Sequence, residues 1–151
     1  MTRPLNRLPL LAVLVLATCC SGCLRLKRPY LHKDYYALQT RPVAGDTRLD
    51  AVLEVDGTRI SPLFDTKAFA YRVGDLKFEW DHYNQFLGPP GAVITGEVVR
   101  WLRQAGPFRH VVPAGSGAWA LYVLESNVPA LYADYRDPGS PVAVLEVHFT
   151  L

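Results

Sequence analysis

The chain has 151 residues, of which 50% are hydrophobic and 20% are charged, a size and composition typical of one globular domain. Sixteen lysine and arginine residues stand against 14 aspartate and glutamate residues, so the formal net charge is only +2. Nucleic-acid affinity depends largely on neutralising phosphates, and a chain so close to neutrality is not expected to bind nucleic acid.

The first 22 residues have the three-part order of a signal peptide. Arg3 and Arg7 supply positive charge, and residues 8–17 form an almost unbroken apolar run. That run is about half of the ~20 residues that a transmembrane helix needs, so a membrane span is not favoured. We therefore predict a signal peptide over residues 1–22.

All three cysteines, Cys19, Cys20 and Cys23, lie at the end of this segment, and none occurs from residue 24 to residue 151. A domain without cysteines has no disulfide, and a thiol at a signal boundary suggests attachment of a lipid. The run Ser-Gly-Cys that ends at Cys23 resembles the end of a bacterial lipobox, whose cysteine is acylated and becomes the new N-terminus. Cys19 is the alternative acylation site, because Leu16 lies three residues before it, where a lipobox usually has leucine.

Residues 23–34 are irregular and basic, with Arg25, Lys27, Arg28 and Lys33 opposed only by Asp34. This composition predicts a tether that leads to a domain at residues 35–151. Basic residues beside a lipid anchor can each add about 1 kcal/mol of attraction to an anionic membrane surface. The alternative is a solvated linker without such a role.

The first half of the domain has strand patterns. Residues 35–38 form a short strand-like run. Residues 52–55 and 58–60 flank Asp56-Gly57, which predicts either a hairpin or one bulged strand across the whole stretch. Residues 69–73 and 76–80 alternate apolar and polar residues across Gly74-Asp75, which predicts a second hairpin.

A helix is predicted from about Pro89-Pro90 to Ala105, with Gly106-Pro107 as its stop signal. Apolar residues recur at the helical period and predict one buried stripe that docks on a sheet. The stripe consists of Ile94, Val98, Trp101, Leu102 and Ala105, and the outward positions are Glu97, Arg100 and Arg103.

Three more strands are predicted at residues 111–112, 119–123 and 142–151, with a turn at residues 137–140 before the last one. Strands, a helix and further strands indicate an α+β fold, as a single domain with a mixed or antiparallel sheet and at least one amphipathic helix packed on it. Because Leu151 ends the chain within a predicted strand, we expect the domain to be incomplete at its C-terminus.

The sequence contains no recognisable catalytic or metal-binding pattern, so we predict neither an enzyme nor a cofactor or metal site. The four histidines, His32, His82, His110 and His148, lack the spacing of a zinc site. Aromatic residues precede the helix, and most of them are expected to pack in the core. Trp80, Tyr83 and Phe86 are candidates for a surface that contacts a partner or lipid.

The motifs, taken in order, resemble the ABC-type transport auxiliary lipoprotein family, the PqiC-like proteins. The resemblance runs from the lipobox through Tyr-Tyr-x-Leu at 35–38, Phe-Ala-Tyr-Arg at 69–72, Tyr83, Pro89-Pro90, the amphipathic helix and residues 106–111, and so covers most of the mature chain. Phe86 stands near the place where family members tend to have tryptophan. Family members also usually continue beyond the position of Leu151.

The resemblance implies a lipoprotein anchored in the bacterial outer membrane on its periplasmic face, and Leu24 after Cys23 is compatible with that sorting. It implies partnership with an MCE-domain protein and an ABC permease and ATPase that move phospholipids or other hydrophobic molecules across the envelope. It assigns no catalytic residue. The alternative is a structural or assembly lipoprotein unrelated to transport, and association into a homo-oligomer stays open in both cases.

Overall fold

The computed structural model describes residues 31–43, 45 and 48–151. The predicted signal peptide, both candidate acylation sites and residues 23–30 of the predicted tether lie outside these residues. The described strands are β1 (Asp34–Tyr36), β2 (Leu49–Val55), β3 (Arg59–Ile60), β4 (Ala68–Arg72), β5 (Phe78–Phe86), β6 (Phe108–Pro113), β7 (Tyr122–Asp134) and β8 (Val142–Thr150). The helix α1 (Pro90–Ala105) lies between β5 and β6.

The strands form one mixed sheet in the order β1-β5-β4-β7-β2-β6, and β3 and β8 also pair with β7. Strand β7 is 13 residues long and holds the sheet together. It pairs in parallel with β2, β3 and β4 in turn, and antiparallel with β8. The predicted α+β class is therefore confirmed, as a single curled mixed sheet with a helix packed on it.

Strands β2 and β3 do not form a hairpin, so the first of the two interpretations of this stretch is wrong and the second is confirmed. Both strands run parallel to β7, as one strand interrupted between them. The Asp56 carboxylate accepts a hydrogen bond from the Gly57 N–H at 2.7 Å, which makes a local bulge instead of a reversal. Leu53 and Val55 are fully buried, and that burial fixes β2 under the helix.

The second predicted hairpin is confirmed. Strands β4 and β5 are antiparallel, with Arg72 opposite Phe78. The turn is closed by a hydrogen bond of 3.0 Å from the Val73 N–H to the Lys77 carbonyl. The predicted turn between β7 and β8 also forms, since the Asp137 carbonyl accepts from the Ser140 N–H at 3.1 Å.

Helix α1 begins and ends where its proline and glycine signals predict. Gly106 adopts a left-handed conformation with φ of 73° and donates to the Leu102 carbonyl, which ends the helix. The core cluster between α1 and the sheet is formed by Leu53, Val55, Val99 and Val111. Within the described part of the chain, no helix is both long enough and apolar enough to cross a membrane.

The predicted buried stripe of α1 is only partly correct. Ile94 and Ala105 are buried, but Val98, Trp101 and Leu102 are only partly covered, and Val99 is buried instead. The helix packs against β2, β3 and β6. Val98 and Leu102 pack at the edge of the core cluster and stay partly exposed. Glu97 and Arg100 were expected to face outward, yet both are half-buried because they contact residue Thr40.

The strand predicted at residues 119–123 begins only at Tyr122. Trp119 lies in the loop before it, with 83% of its surface exposed. Alternation marks a strand only where a neighbouring strand is within hydrogen-bonding distance. Here the alternating residues begin before the first residue that is assigned to the strand.

Candidate functional site

An open apolar groove lies between α1 and β8, with a volume of about 510 Å³. One wall is the uncovered side of the helix, and the other is the exposed face of β8. The apolar side chains on these two walls are Ile94, Val98, Trp101 and Leu102 from the helix and Leu145, Val147 and Phe149 from the strand.

A second apolar compartment of about 370 Å³ adjoins the first over β4, β7 and β8. Phe69 and Phe86 pack together in its wall with ring centroids 4.7 Å apart. Leu38 and Leu145 line both compartments, so the two are neighbours along β8. The six residue steps from Ala143 to Phe149, at about 3.3 Å each, give the pair a length of about 20 Å.

The apolar character of this surface follows from the sequence of β8. Leu145, Val147 and Phe149 alternate onto one face of the sheet. Leu145 is 51% exposed and Phe149 is 55% exposed, although both are large and apolar. Proteins that act alone seldom leave a continuous apolar surface open to water, and such a surface usually marks a binding site.

Residues 38–40 form a further wall of the groove and are held by the helix. The Thr40 N–H donates to a Glu97 carboxylate oxygen at 2.8 Å, and the Thr40 hydroxyl donates to the same oxygen at 3.1 Å. The Arg100 guanidinium donates to the Thr40 carbonyl at 2.7 Å. One helical ion pair therefore binds both the N–H and the carbonyl group of Thr40.

Arg100 and Glu97 are also hydrogen-bonded to each other, because Arg100 Nε donates to the other Glu97 carboxylate oxygen at 3.1 Å. Hydrogen bonds from the Arg100 side chain and the Thr40 N–H lower the pKa of Glu97 from 4.5 to about 2. The hydrogen bond to Glu97 in turn raises the pKa of Arg100. Both side chains stay charged at neutral pH, which keeps their hydrogen bonds to Thr40 intact.

The candidate residues Trp80, Tyr83 and Phe86 are not brought into one cluster. Phe86 lines the second compartment. Trp80 lies opposite Ala70 in the β4–β5 register. Trp80 and Tyr83 are both largely exposed and line neither compartment.

An irregularity in the pairing of β5 with β4 lies among these three aromatic residues. One Asp81 carboxylate oxygen accepts from the backbone N–H groups of Tyr83 at 2.7 Å and Asn84 at 3.1 Å. The other accepts from the Asn84 amide at 2.7 Å and the Tyr71 hydroxyl at 2.8 Å. The pairing with β4 consequently shifts between Ala68 and Ala70.

The Asp81 cluster is structural in character. Burial raises the pKa of Asp81, but the hydrogen bonds from Asn84, Tyr83 and Tyr71 outweigh it and hold that pKa well below its usual range. Burial and the hydrogen bond to Asp81 raise the pKa of Tyr71 well above its usual range. Neither group changes protonation near neutral pH, so the pair is not suited to proton transfer there.

Among the described residues, no group of three or more His, Cys, Asp or Glu side chains is placed to hold a metal ion. His32 lies 3.3 Å from Asp34, and His148 lies 2.7 Å from Glu146, both at the surface. These are isolated surface pairs. The groove is thus the most developed candidate site in the described part of the chain.

Comparison with known proteins shows the fold. No protein-family model matches the chain, and no curated protein matches it in sequence. The crystal structure of protein XCC0632 from Xanthomonas campestris, described as family DUF330, superposes with a TM-score of 0.67 at 19% identity. The match covers 77% of this chain and 66% of that one, slightly less than two thirds of its length.

A second crystal structure, of an uncharacterized protein, superposes with a TM-score of 0.54 at 14% identity, and the match covers 79% of this chain and 80% of that one. At these identities the two likenesses establish a shared α+β architecture. They assign neither an activity nor a ligand.

Proposed function

We propose that this protein is an accessory lipoprotein of an MCE-type ABC transport system, which moves phospholipids or other hydrophobic molecules across the bacterial envelope. It acts through membrane anchoring and partner docking, on the periplasmic face of the outer membrane. The observation that carries the proposal is the open apolar face beside α1 and along β8.

The chemistry of this face suits binding. Its walls are almost entirely aliphatic and aromatic, and the polar contributions come from Gln39, Thr40 and Glu97 on one side. Burying apolar surface contributes about 25 cal/mol per Å², so a partner that covers both compartments gains affinity without any charged contact. A face of this kind fits a partner that presents its own apolar surface.

The N-terminal region supports the anchoring part of the proposal. The signal-like segment ends at Cys23, and residues 23–33 can extend about 35 Å before β1 begins at Asp34. Strand β1 pairs with β5 at the edge of the sheet. An acyl chain on Cys23 would contribute about 0.8 kcal/mol of membrane affinity for each buried methylene.

The partner is an MCE-domain protein, as the family resemblance implies. We would place a photo-crosslinking amino acid at Phe149, on the groove wall, and in a matched strain at Trp119, which is exposed in the loop before β7 and lines neither compartment. Irradiation of living cells should couple the Phe149 variant to an MCE-domain protein, identified by mass spectrometry. The Trp119 variant should not couple to it.

Two results would contradict the proposal. The first is crosslinking of the Phe149 variant only to proteins outside any transport system, which would favour a structural or assembly lipoprotein. The second is equal coupling to the MCE-domain protein from both positions, which would show that the apolar face does not direct the contact.

A further inference from the structure

We propose that residues 38–40, here called the strap, are a releasable cover that separates the two apolar compartments and is latched to α1 by Glu97 and Arg100. Release of the latch would lift Leu38 and join the compartments into one continuous groove. The proposal rests on the packing of Leu38, the contacts of Thr40 and the position of the strap in the chain.

Leu38 occupies the junction of the two compartments. It lines the compartment beside α1 and the compartment over β4, and it shares this double role with Leu145 on the sheet below. Its neighbours Ala37 and Gln39 are exposed, whereas Leu38 is half-buried. The side chain therefore fills space that would otherwise connect the two volumes of about 510 and 370 Å³.

The latch is concentrated at one residue. Among the described residues, Thr40 is the member of the segment 37–43 that hydrogen-bonds to another element, through Glu97 and Arg100. The two latch side chains are themselves only 18% and 33% exposed, whereas Thr40 lies at the surface, so the contact is accessible to solvent from the side of the strap. Loss of either charge would weaken these contacts, and loss of both would leave the strap held by the apolar packing of Leu38.

The strap follows β1 directly, and β1 pairs with β5 through only three residues. Displacement of β1 would therefore pull first on Thr40 and Leu38. If the proposed function is correct, β1 also continues the predicted tether, so the position of the domain relative to its membrane anchor would act on the strap. The latch itself can be tested without that assumption.

The test uses the full chain in a background with Trp80→Phe and Trp119→Phe, which leaves Trp101 in the groove wall as the single tryptophan. In this background Glu97→Gln keeps the size of the side chain and removes its charge. Hydrogen exchange over residues 37–43, measured by mass spectrometry, should become faster by roughly tenfold at the Thr40 amide, because its acceptor changes from a charged carboxylate to a neutral amide oxygen. Acrylamide should quench Trp101 more strongly.

A second latch variant, Arg100→Met, removes the bond to the Thr40 carbonyl and should change both signals in the same direction, with a smaller effect on the Thr40 amide, which keeps Glu97 as its acceptor. The matched control is Glu79→Gln, which removes an exposed carboxylate 2.7 Å from Lys77 on the β4–β5 hairpin and should change neither signal. Addition of 1-anilinonaphthalene-8-sulfonate should give a larger fluorescence increase with both latch variants than with the control, because the joined groove accepts an apolar probe.

The proposal is overturned if both latch variants match the control in exchange, quenching and probe binding. It is also overturned if faster exchange extends to β2 and β7, because Glu97 and Arg100 would then support the whole domain. Faster exchange confined to residues 37–43, without any change at Trp101, would equally contradict it, since the strap would be free without opening the groove.

Discussion

At Asp81, one carboxylate accepts four hydrogen bonds, from the Tyr83 and Asn84 backbone, the Asn84 amide and the Tyr71 hydroxyl. Asn84 in turn accepts from the Tyr36 hydroxyl at 3.0 Å, which ties β1 to the same cluster. A single side chain thus joins three strands at the edge of the sheet. Its removal leaves several polar groups without their partner.

We expect Asp81→Ala to lower the free energy of unfolding by about 1–3 kcal/mol, the range for loss of a hydrogen-bonded, partly buried charge. Urea denaturation followed by circular dichroism measures the change. The matched control is Asp50→Ala, which removes an exposed carboxylate 3.2 Å from Arg109 and should change stability by less than about 0.5 kcal/mol. Equal effects of the two substitutions would contradict the structural role of Asp81.

The Glu97 contact with Thr40 should depend on pH. Because the pKa of Glu97 is lowered from 4.5 to about 2, its ionised form favours the latched state. The stabilisation of the latched state by ionised Glu97 is fully present above pH 4.5 and is lost as the pH falls from 4.5 through about 2. Other carboxylates with lowered pKa, such as Asp134, titrate in the same window, so a local signal is needed.

The chemical shift of the Thr40 amide proton, followed by NMR, supplies that local signal. It should move with a midpoint well below 4.5 in the parent protein. In the Glu97→Gln variant, it should stay constant through the same range. A parent midpoint at or above 4.5 would show that Arg100 and Thr40 do not stabilise the Glu97 carboxylate.

At the scale of elements, the sequence predicted those parts of the fold that depend on residues close together in the chain. The β4–β5 hairpin follows from alternation on both sides of Gly74-Asp75, and α1 follows from a proline start and a glycine stop. The path of β2 and β3 depends on a partner, β7, more than 60 residues later, and the sequence leaves that pairing open. The register shift in β5 depends on the side chain of Asp81, which period-two alternation does not reveal.

The sequence did not predict the groove, and the reason is similar. Its walls come from the strap, α1 and β8, which are far apart in the chain. Amphipathicity predicts that Val98, Trp101 and Leu102 share a face of the helix, but it does not say how much sheet lies under that face. Of the three aromatic candidates, only Phe86 reaches a compartment wall.

The start of α1 lies close to the β2–β3 bulge. Gly91 and Gly96 of the helix test this approach, because only Gly91 lies next to the bulge. A Cβ added at Gly91 would come within 2.9 Å of the Thr58 carbonyl oxygen, whereas one at Gly96 would have no neighbour within 4 Å. We expect Gly96→Ala to raise the free energy of unfolding by about 0.5–1 kcal/mol through helix propensity. Gly91→Ala should lower it, because a backbone atom must move.

Thermal unfolding of both glycine variants measures these opposite changes. Thr58 also hydrogen-bonds through its N–H to the Thr95 hydroxyl at 2.8 Å, so movement of α1 would disturb that contact as well. A stabilising effect of Gly91→Ala equal to that of Gly96→Ala would contradict the close approach of α1 to the bulge.

For the whole molecule, the helix covers one part of a sheet face and leaves the part over β4, β7 and β8 open. If the proposed function is correct, docking of a partner on this apolar face would cover large side chains, such as Phe149, that are exposed in the isolated chain. Anchoring at a bilayer would keep that face near a membrane-associated partner and raise its effective concentration. This increase in effective concentration depends on the lipid anchor.

Substitution of the predicted acylation site tests the anchor in cells. Cys23→Ala should move the protein from the membrane fraction to the soluble periplasmic fraction. Cys20→Ala removes a neighbouring thiol and should leave the protein with membranes. Loss of membrane association in Cys19→Ala, with none in Cys23→Ala, would assign the lipid to the alternative site.

The most direct test of the central claim is mass spectrometry of the mature N-terminal peptide, prepared from membranes of cells that make the unaltered protein. The account predicts that the peptide begins at Cys23 and carries the mass of attached acyl chains. A mature N-terminus that begins after Cys23, without a lipid, would contradict it.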